Sequence, residues 1–231
     1  MLPGRAQEHL TARAVRANIE HVFLQGSLFG CLAPEFDATF DALERIHLDD
    51  STWIDFAPGW LRGADEVFDE LHRSLPWRQR RNVRMFDSLV DEPRLVAWWT
   101  EATGGAGSEP LPLLAEMRRA LSERYDENFD SIGFNLYRDG DDSVAWHGDR
   151  HRHNVVNPVI AIVSVGAARP LRIRPRGGGT SRGWDLGLGD LFVMGGACQH
   201  DWEHSVPKVR HVSGPRLSIT FRYGTGDVSM T

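Results

Sequence analysis

A histidine and an aspartate two residues apart are the first candidates for chemistry in this chain. They are His147 and Asp149, in the segment AWHGD. Residues i and i+2 of a strand project from the same face, so this imidazole and carboxylate can meet one metal ion. Two histidines and one carboxylate on one side of an iron ion form the ligand set of non-haem Fe(II) oxygenases. The pattern alone is a weak signal among 10 histidines, and a polar surface turn is its simpler interpretation.

The second histidine of such a site has several candidates downstream. His204 is preferred, because it follows a predicted strand and a turn that returns the chain towards the sheet. His200 ranks second and His211 is a further candidate, whereas His151 and His153 lie too close in sequence to reach around a metal. A histidine with a purely structural role is the alternative for each of them.

The predicted strand RLSITFR places two arginines on one polar face. If that face points into a barrel, two buried guanidinium groups need anionic partners, because an unpaired buried charge is costly. A dicarboxylate could satisfy both, since the planar fork of arginine matches carboxylate geometry. Asn135 and Tyr137, on one face of another predicted strand, could add hydrogen bonds. The polar face of RLSITFR consists of Arg216, Ser218, Thr220 and Arg222.

Composition sets the class of protein. The chain has 231 residues, of which 41% are hydrophobic and 25% charged, typical of a folded globular protein and not of a disordered one. No apolar run approaches the roughly 20 residues that span a bilayer, and the N-terminus does not resemble a secretory signal. Two cysteines fit a reducing, cytoplasmic location. The net charge of −6 argues against coating nucleic acid by bulk electrostatics but allows a local basic patch.

The elements that must position these residues change type along the chain. Apolar spacing predicts helices in PEFDATFDALERI, ADEVFDELHRSL and LPLLAEMRRALSERY. From about residue 130, alternating or β-branched runs predict at least six strands, with a hairpin around GGGTSRG. We therefore expect a single α+β domain over 1–231, with a β-sandwich or barrel in its second half. Residues 1–80 are expected to be mainly helical, and 224–231 to form a short tail.

Taken together, these motifs resemble the AlkB family of iron- and 2-oxoglutarate-dependent dioxygenases. The resemblance depends on the segments NLYRDGDDSVAWHGD, HDWEHSVP, EPRLVAWW and RLSITFR, in this order and spacing. It runs from about Arg84 to Tyr223, so a core at 84–223 is expected. The resemblance implies a double-stranded β-helix (jelly-roll) core, with the helical N-terminal region packed on it.

The resemblance also implies a role for each site residue. His147, Asp149 and His204 would ligate Fe(II), to which 2-oxoglutarate and O2 bind. Five further residues would contact the cosubstrate. Its distal carboxylate would be held by Arg216, Tyr137 and Ser218, and the carboxylate at the metal would lie near Arg222 and Asn135. The family more often has asparagine at the position of Ser218.

The implied activity is oxidative dealkylation of N-alkylated bases such as 1-methyladenine and 3-methylcytosine in nucleic acid, DNA or RNA. It would release an aldehyde, succinate and CO2, from a protein expected to be a monomer without a membrane partner. Trp98 and Trp99 lie where the family builds part of its nucleotide-recognition lid, although core packing explains them as well. Basic residues for phosphates would come from WRQRRNVR and from Arg150 and Arg152 beside the metal motif.

Two departures from the family leave the substrate open. His151 stands where relatives often carry an acid that reads the damaged base; a histidine can donate or accept, so it could still contact a base with a different preference. The segment TEATGGAGSEP after Trp99 lacks base-stacking aromatic residues. One alternative keeps the oxygenase chemistry but moves it to a protein, lipid or small molecule. Another is a nucleic-acid-binding module that retains the fold without turnover, although such a module would not need the metal residues or both strand arginines.

Overall fold

Antiparallel sheets of unequal size form most of the structure. The computed structural model describes residues 33–81, 83–85, 88–105, 107–149 and 156–223, and only the backbone of 83–85 and 88–90. The strands are β1 (Glu35–Phe36), β2 (Glu44–His47), β3 (Thr52–Ala57), β4 (Leu61–Arg62), β5 (Val83–Met85), β6 (Ser88–Val90), β7 (Leu95–Thr100), β8 (Ser131–Tyr137), β9 (Val144–His147), β10 (Ile160–Gly166), β11 (Arg169–Pro175), β12 (Arg182–Leu186), β13 (Asp190–Gly196), β14 (Trp202–Val206) and β15 (Arg216–Arg222). The helices are α1 (Ala64–Ser74), α2 (Glu101–Gly104), α3 (Pro112–Tyr125) and α4 (Cys198–Asp201).

The major sheet has the strand order β2-β3-β13-β10-β15-β8-β7, and the minor sheet has the order β12-β11-β14-β9. Neighbouring strands pair antiparallel in both sheets. Apart from the hairpin β11-β12 in the minor sheet, consecutive strands from β8 to β15 alternate between the sheets, as in a jelly roll. This architecture confirms the expected α+β class with a double-stranded β-helix core.

Apolar residues fill both faces of the major sheet. One cluster joins the outer face to α1 and α3, through residues such as Phe68, Leu121 and Phe221. A second cluster lies between the two sheets, where Ile162 of the major sheet packs with Ile173 of the minor sheet. The central strand β10 is therefore buried along its whole length, as its β-branched sequence predicts.

The helices predicted at ADEVFDELHRSL and LPLLAEMRRALSERY are confirmed as α1 and α3. The first is supported by Asp65 and Glu66 in its first turn and by Arg73 in its last, which complement the helix dipole. Strands predicted from the alternating and β-branched runs are confirmed as β8, β10, β11, β12, β13 and β15.

The helix predicted at PEFDATFDALERI is wrong, because strands β1 and β2 flank a turn there. The Asp37 carboxylate accepts hydrogen bonds from the backbone N–H groups of Thr39 (2.9 Å) and Asp41 (3.0 Å). Such side-chain-to-backbone bonds compete with helix formation. Phe36 and Phe40, whose spacing suggested a helical face, instead both pack against Trp60. Within 33–80, the expected mainly helical region contains four strands and one helix.

The described residues belong to one compact unit. The predicted single domain over 1–231 and the predicted tail at 224–231 extend beyond these residues and stay predictions. Among the described helices, none has the length and apolar character needed to cross a bilayer.

Asp55 joins the edge of the major sheet to α3. Its carboxylate is fully buried, accepts two hydrogen bonds from the Arg45 guanidinium (2.7 and 2.8 Å) and a third from the Tyr125 hydroxyl (3.0 Å). We expect Asp55→Ala to lower the free energy of unfolding by about 2–3 kcal/mol, because a half-buried phenol and a partly exposed cation lose their acceptor. Urea unfolding measures this loss. A change below about 0.5 kcal/mol, the size usual for surface substitutions, would contradict it.

Candidate metal centre

A β-bulge directs His147 into the space between the sheets. Strand pairing places His204 opposite His147 and Val206 opposite Val144, so two steps along β14 correspond to three along β9. The extra residue on β9 is a bulge, a feature that often re-aims a side chain beside an active site. Val144 packs with the cluster between the sheets. The bulge brings His147 to the same side, with its ring centroid 4.3 Å from that of His204.

His147, Asp149 and His204 form one cluster, with ligand atoms all within 4.8 Å of one another. Each histidine Nε2 lies 3.7 Å from an Asp149 carboxylate oxygen. Metal–ligand bonds of about 2.1 Å allow separations of about 3–4 Å between atoms that share one ion. Two imidazoles and a carboxylate are also the donor set that suits Fe(II). The three residues therefore fit the metal that the sequence predicts.

The protonation of these side chains also suits a cation. The His147 Nδ1 lies 2.8 Å from the Ala145 carbonyl oxygen, which can only accept, so Nδ1 carries the proton and Nε2 keeps its lone pair. Burial lowers the pKa of His204 to about 3, which leaves that imidazole neutral near pH 7. Burial alone would raise the pKa of Asp149, but nearby positive charge, led by Arg222 at 3.1 Å, holds it below its ordinary value. Asp149 is therefore anionic.

The His-x-Asp spacing suggested that one strand positions both His147 and Asp149, but Asp149 lies outside the strand. β9 ends at His147, and Asp149 lies two residues beyond it. Its backbone N–H donates to the Gln199 Oε1 (2.8 Å), and Gln199 is buried in α4, the helix that leads into β14 and His204. One segment thus supports two of the three proposed ligands. Sequence analysis missed Gln199, because nothing in the pattern links residues 50 positions apart.

Rows of side chains across the major sheet connect this cluster to the predicted cosubstrate residues. Asn135 lies beside Ser218, and Tyr137 lies beside Arg216, on the paired strands β8 and β15. The Arg94 Nε donates to the Asn135 Oδ1 (2.9 Å). Because a guanidinium can only donate, this bond leaves the Asn135 NH2 group to donate elsewhere. The sequence analysis did not single out Arg94.

Arg216 is the most unusual residue of these rows. It is 1% exposed, and its NH2 donates to the Ser164 hydroxyl (2.6 Å). Its Nε and NH1 are also buried, yet neither has a hydrogen-bond partner among the described residues. A buried guanidinium with two free donors fits a carboxylate from a bound molecule, since such groups are costly when unpaired. The Arg216 site therefore fits one end of 2-oxoglutarate.

The structure separates the two predicted tryptophans. Trp99 is 8% exposed and belongs to the core against α3. Trp98 is 39% exposed and lies over Gly133, where any Cβ would collide with its ring. Arg222 lies with its Cζ 5.7 Å from the Trp98 ring centroid and 3.1 Å from Asp149 through its NH2. Trp98 alone of the pair therefore lies on the side of the sheet that faces the metal residues.

Other candidates are placed elsewhere. His200 is exposed, has its Nε2 2.7 Å from the Val156 carbonyl oxygen, and is not part of the cluster. Arg150 and His151 lie outside the described residues, so their predicted contacts with substrate stay predictions. Arg80, from the basic segment before β5, pairs with Glu92 at 3.4 Å.

Comparisons with known proteins agree with this geometry. A family model described as the 2OG-Fe(II) oxygenase superfamily matches residues 62–222. Alpha-ketoglutarate-dependent dioxygenase alkB homolog 3 of Bos taurus is 36% identical over 183 residues, which are 71% of this chain and 64% of that protein. DNA oxidative demethylase ALKBH2 of Homo sapiens is 30% identical over 177 residues, which are 69% of this chain and 68% of that protein. The chain thus spans just under two thirds of the length of alkB homolog 3.

The fold has a matching solved relative. The structure of OsALKBH1 superposes with a TM-score of 0.53 at 14% identity, covering 78% of this chain and 99% of that one. At this identity the likeness concerns the fold alone. The family match includes the strands that carry His147, His204 and Arg216, and the named relatives share the family's AlkB branch. The chain therefore belongs to the AlkB family of the 2OG-Fe(II) oxygenase superfamily, whose cofactors are Fe(II), 2-oxoglutarate and O2.

Proposed function

We propose that this chain is an Fe(II)- and 2-oxoglutarate-dependent dioxygenase that oxidatively dealkylates N-alkylated bases in DNA or RNA. The observation that supports this most is the pairing of a complete His-Asp-His cluster with a buried arginine that has two unused donors. A nucleic-acid substrate is supported by the relative named as a DNA oxidative demethylase.

In the proposed enzyme, His147, Asp149 and His204 hold the metal, and Gln199 fixes the backbone of Asp149. A bound iron would supply, with 2-oxoglutarate and O2, the oxidising chemistry for hydroxylation of an N-alkyl group, with succinate, CO2 and an aldehyde as products. Arg222 keeps Asp149 ionised by its charge.

The cosubstrate would lie along the polar face of β15. Its distal carboxylate would be bound by Arg216, Tyr137 and the Ser218 hydroxyl. The end at the metal would be oriented by Arg222 and Asn135. Ser218 contacts Thr220 through their hydroxyl oxygens at 3.2 Å. A serine reaches less far than the asparagine common in relatives, so we expect Tyr137 and Arg216 to supply most of the hydrogen bonds.

Trp98 is the proposed stacking surface for the base. An enzyme that acts on a base must take it out of the stack and hold it against an aromatic ring. Trp98 is partly exposed, and Arg222 contacts both its ring and the Asp149 carboxylate. It therefore offers a ring face close to the metal.

Removal of this ring tests the substrate class. We expect Trp98→Ala to lower kcat/KM for a methylated oligonucleotide about 10- to 100-fold, because base–aromatic stacking contributes about 1–3 kcal/mol. Succinate formation without oligonucleotide should stay within about twofold, a factor worth under 1 kcal/mol. Formaldehyde release from 3-methylcytosine DNA measures the first rate. Trp77→Ala, a half-buried tryptophan away from the site, is the control. Equal rates for the two variants would contradict stacking on Trp98.

The proposed activity has a direct test. Anaerobically prepared Fe(II) protein receives 2-oxoglutarate and O2, with and without an oligonucleotide containing 1-methyladenine or 3-methylcytosine, and succinate and formaldehyde are both quantified. Formaldehyde that appears only with the methylated strand supports base dealkylation. Succinate that methylated strands do not change would favour a protein, lipid or small-molecule substrate. An iron-loaded protein that forms no succinate would favour a binding module.

The oligomeric state, the location and the absence of membrane binding also belong to the proposal. We infer that it acts as a monomer in the cytoplasm and does not bind membranes. A single monomeric species in sedimentation velocity, with or without oligonucleotide, and no co-sedimentation with vesicles would support this.

A further inference from the structure

Arg169 is a buried cation that the proposed function does not yet use. It is the first residue of β11 in the minor sheet and is 1% exposed. Its NH1 donates to the Asp139 carbonyl (2.6 Å), and its NH2 donates to the carbonyls of Asp142 (2.8 Å) and Pro207 (3.0 Å). These acceptors lie on the loops before β9 and after β14. Arg169 is therefore held at NH1 and NH2 by neutral groups, which do not cancel its charge, while its buried Nε has no hydrogen-bond partner among the described residues.

Arg169 and Arg216 lie around the same aromatic ring. The Cζ of Arg169 is 5.7 Å from the Tyr137 ring centroid, and the Cζ of Arg216 is 5.3 Å from it. Among the described residues, no carboxylate lies within 4.0 Å of either guanidinium. The nearby Asp142 carboxylate is instead bound by both Nε and NH2 of Arg138, at 2.8 Å each. At this end of the space between the sheets, two buried guanidinium groups thus lack a direct carboxylate partner, and Asp139, Asp142 and Asp190 act on them only from a longer distance.

Two buried like charges repel each other in the ligand-free protein, and a bound anion removes this cost. Burial lowers the pKa of Arg169, and burial together with the charge of Arg169 lowers that of Arg216. Three backbone carbonyls keep Arg169 in place before any ligand arrives, so its guanidinium does not have to move when an anion binds.

We propose that Arg169 is a second cationic residue of the 2-oxoglutarate pocket, which favours ligands with a distal carboxylate by its charge while Arg216 makes the direct contact. This inference rests on the proposed function. Arg169 is thereby a positioning and specificity-determining residue, because it supports Tyr137 and selects chelators with a distal carboxylate over shorter chelators that lack one.

Two metal chelators separate this role from a structural one. N-oxalylglycine carries a carboxylate at its far end, whereas oxalate binds a metal in a similar way without reaching the Tyr137 end. Their affinities for Mn(II)-loaded protein are measured by calorimetry, for the parent, Arg169→Gln and Arg169→Lys. Arg172→Gln, an exposed arginine three residues along the same strand, is the matched control.

We expect Arg169→Gln to weaken N-oxalylglycine about 10-fold or more, a loss of about 1.4 kcal/mol, with oxalate changed less than twofold. Arg169→Lys, which keeps the charge, should remain close to the parent for both ligands, as should Arg172→Gln. An Arg169→Gln protein that binds N-oxalylglycine like the parent would overturn the proposal, and so would equal weakening of both ligands.

Folding is checked by the melting temperature of each variant. If Arg169→Gln does not fold, Arg169→Lys decides. Retained preference for N-oxalylglycine supports the proposal, and loss of that preference with oxalate binding intact overturns it. A parent protein that binds oxalate but shows no preference for N-oxalylglycine would instead contradict the proposed function, and the role of Arg169 with it.

Discussion

Asp149→Ala should abolish turnover while leaving the fold intact. The substitution removes one of three proposed ligands, and it also leaves the Arg222 guanidinium, 3.1 Å away, as an uncompensated cation facing the metal. Loss of residues that merely support a ligand costs about 10- to 100-fold in metal affinity or activity, so loss of the ligand itself should cost more. We expect succinate and formaldehyde formation at least 1,000-fold below the parent, a loss of about 4 kcal/mol.

The same substitution should leave the protein folded, with a modest loss of stability because Arg222 loses its ion pair. Asp149 lies beyond the end of β9 and is not part of either apolar cluster. The metal-free variant is expected to melt within a few degrees of the parent, and circular dichroism measures this. Asp141→Ala, an exposed aspartate whose ion-pair distance to Lys208 is 3.9 Å, is the control and should keep full activity. Substantial turnover by a verified Asp149→Ala sample would remove the His-Asp-His cluster from the proposed mechanism.

Sequence patterns predicted the polar face of the major sheet well, because that face depends on local alternation. The period of two in SIGFNLY and RLSITFR places Asn135, Tyr137, Arg216 and Ser218 on one side, and the paired strands carry them as neighbours. The apolar residues of the same strands pack on the opposite side, against the helices. The face to which a side chain points depends only on its position within its own strand, so it can be predicted without knowing how the strands pair.

Features that depend on contacts between distant segments were not predictable in this way. The Gln199 side chain that holds Asp149, and the Arg94 side chain that orients Asn135, act across 50 and 41 residues. The bulge in β9 is defined by the pairing of β9 with β14, which the sequence of β9 alone does not determine. Similarly, Asp37 converts an apparently helical apolar pattern into a turn by local hydrogen bonds, which periodicity does not detect.

Substitution of Arg216 should raise the stability of the protein while it removes cosubstrate binding, whereas substitution of Asp149 gives no such gain in stability. In the ligand-free protein it is a buried cation with two unpartnered donors, which is unfavourable for folding. Arg216→Met keeps an apolar chain of similar length and removes the charge. We therefore expect the variant to melt several degrees above the parent, since a gain of about 1 kcal/mol shifts Tm by about 2–4 °C in a chain of this size.

The gain in stability should come with the loss of cosubstrate binding. A ligand at 100 times its Kd stabilises a protein by about 2.7 kcal/mol, so 2-oxoglutarate should raise the Tm of the Mn(II)-loaded parent clearly. Arg216→Met should lose this shift, with affinity for 2-oxoglutarate about 100-fold lower, because a charge-assisted bidentate contact disappears. The shift caused by Mn(II) alone should remain, since Arg216 is not part of the metal cluster. Arg172→Met, on the exposed side of β11, should keep both shifts. If Arg216→Met loses both shifts together, or keeps the response to 2-oxoglutarate, its buried guanidinium supports the fold and does not bind the cosubstrate.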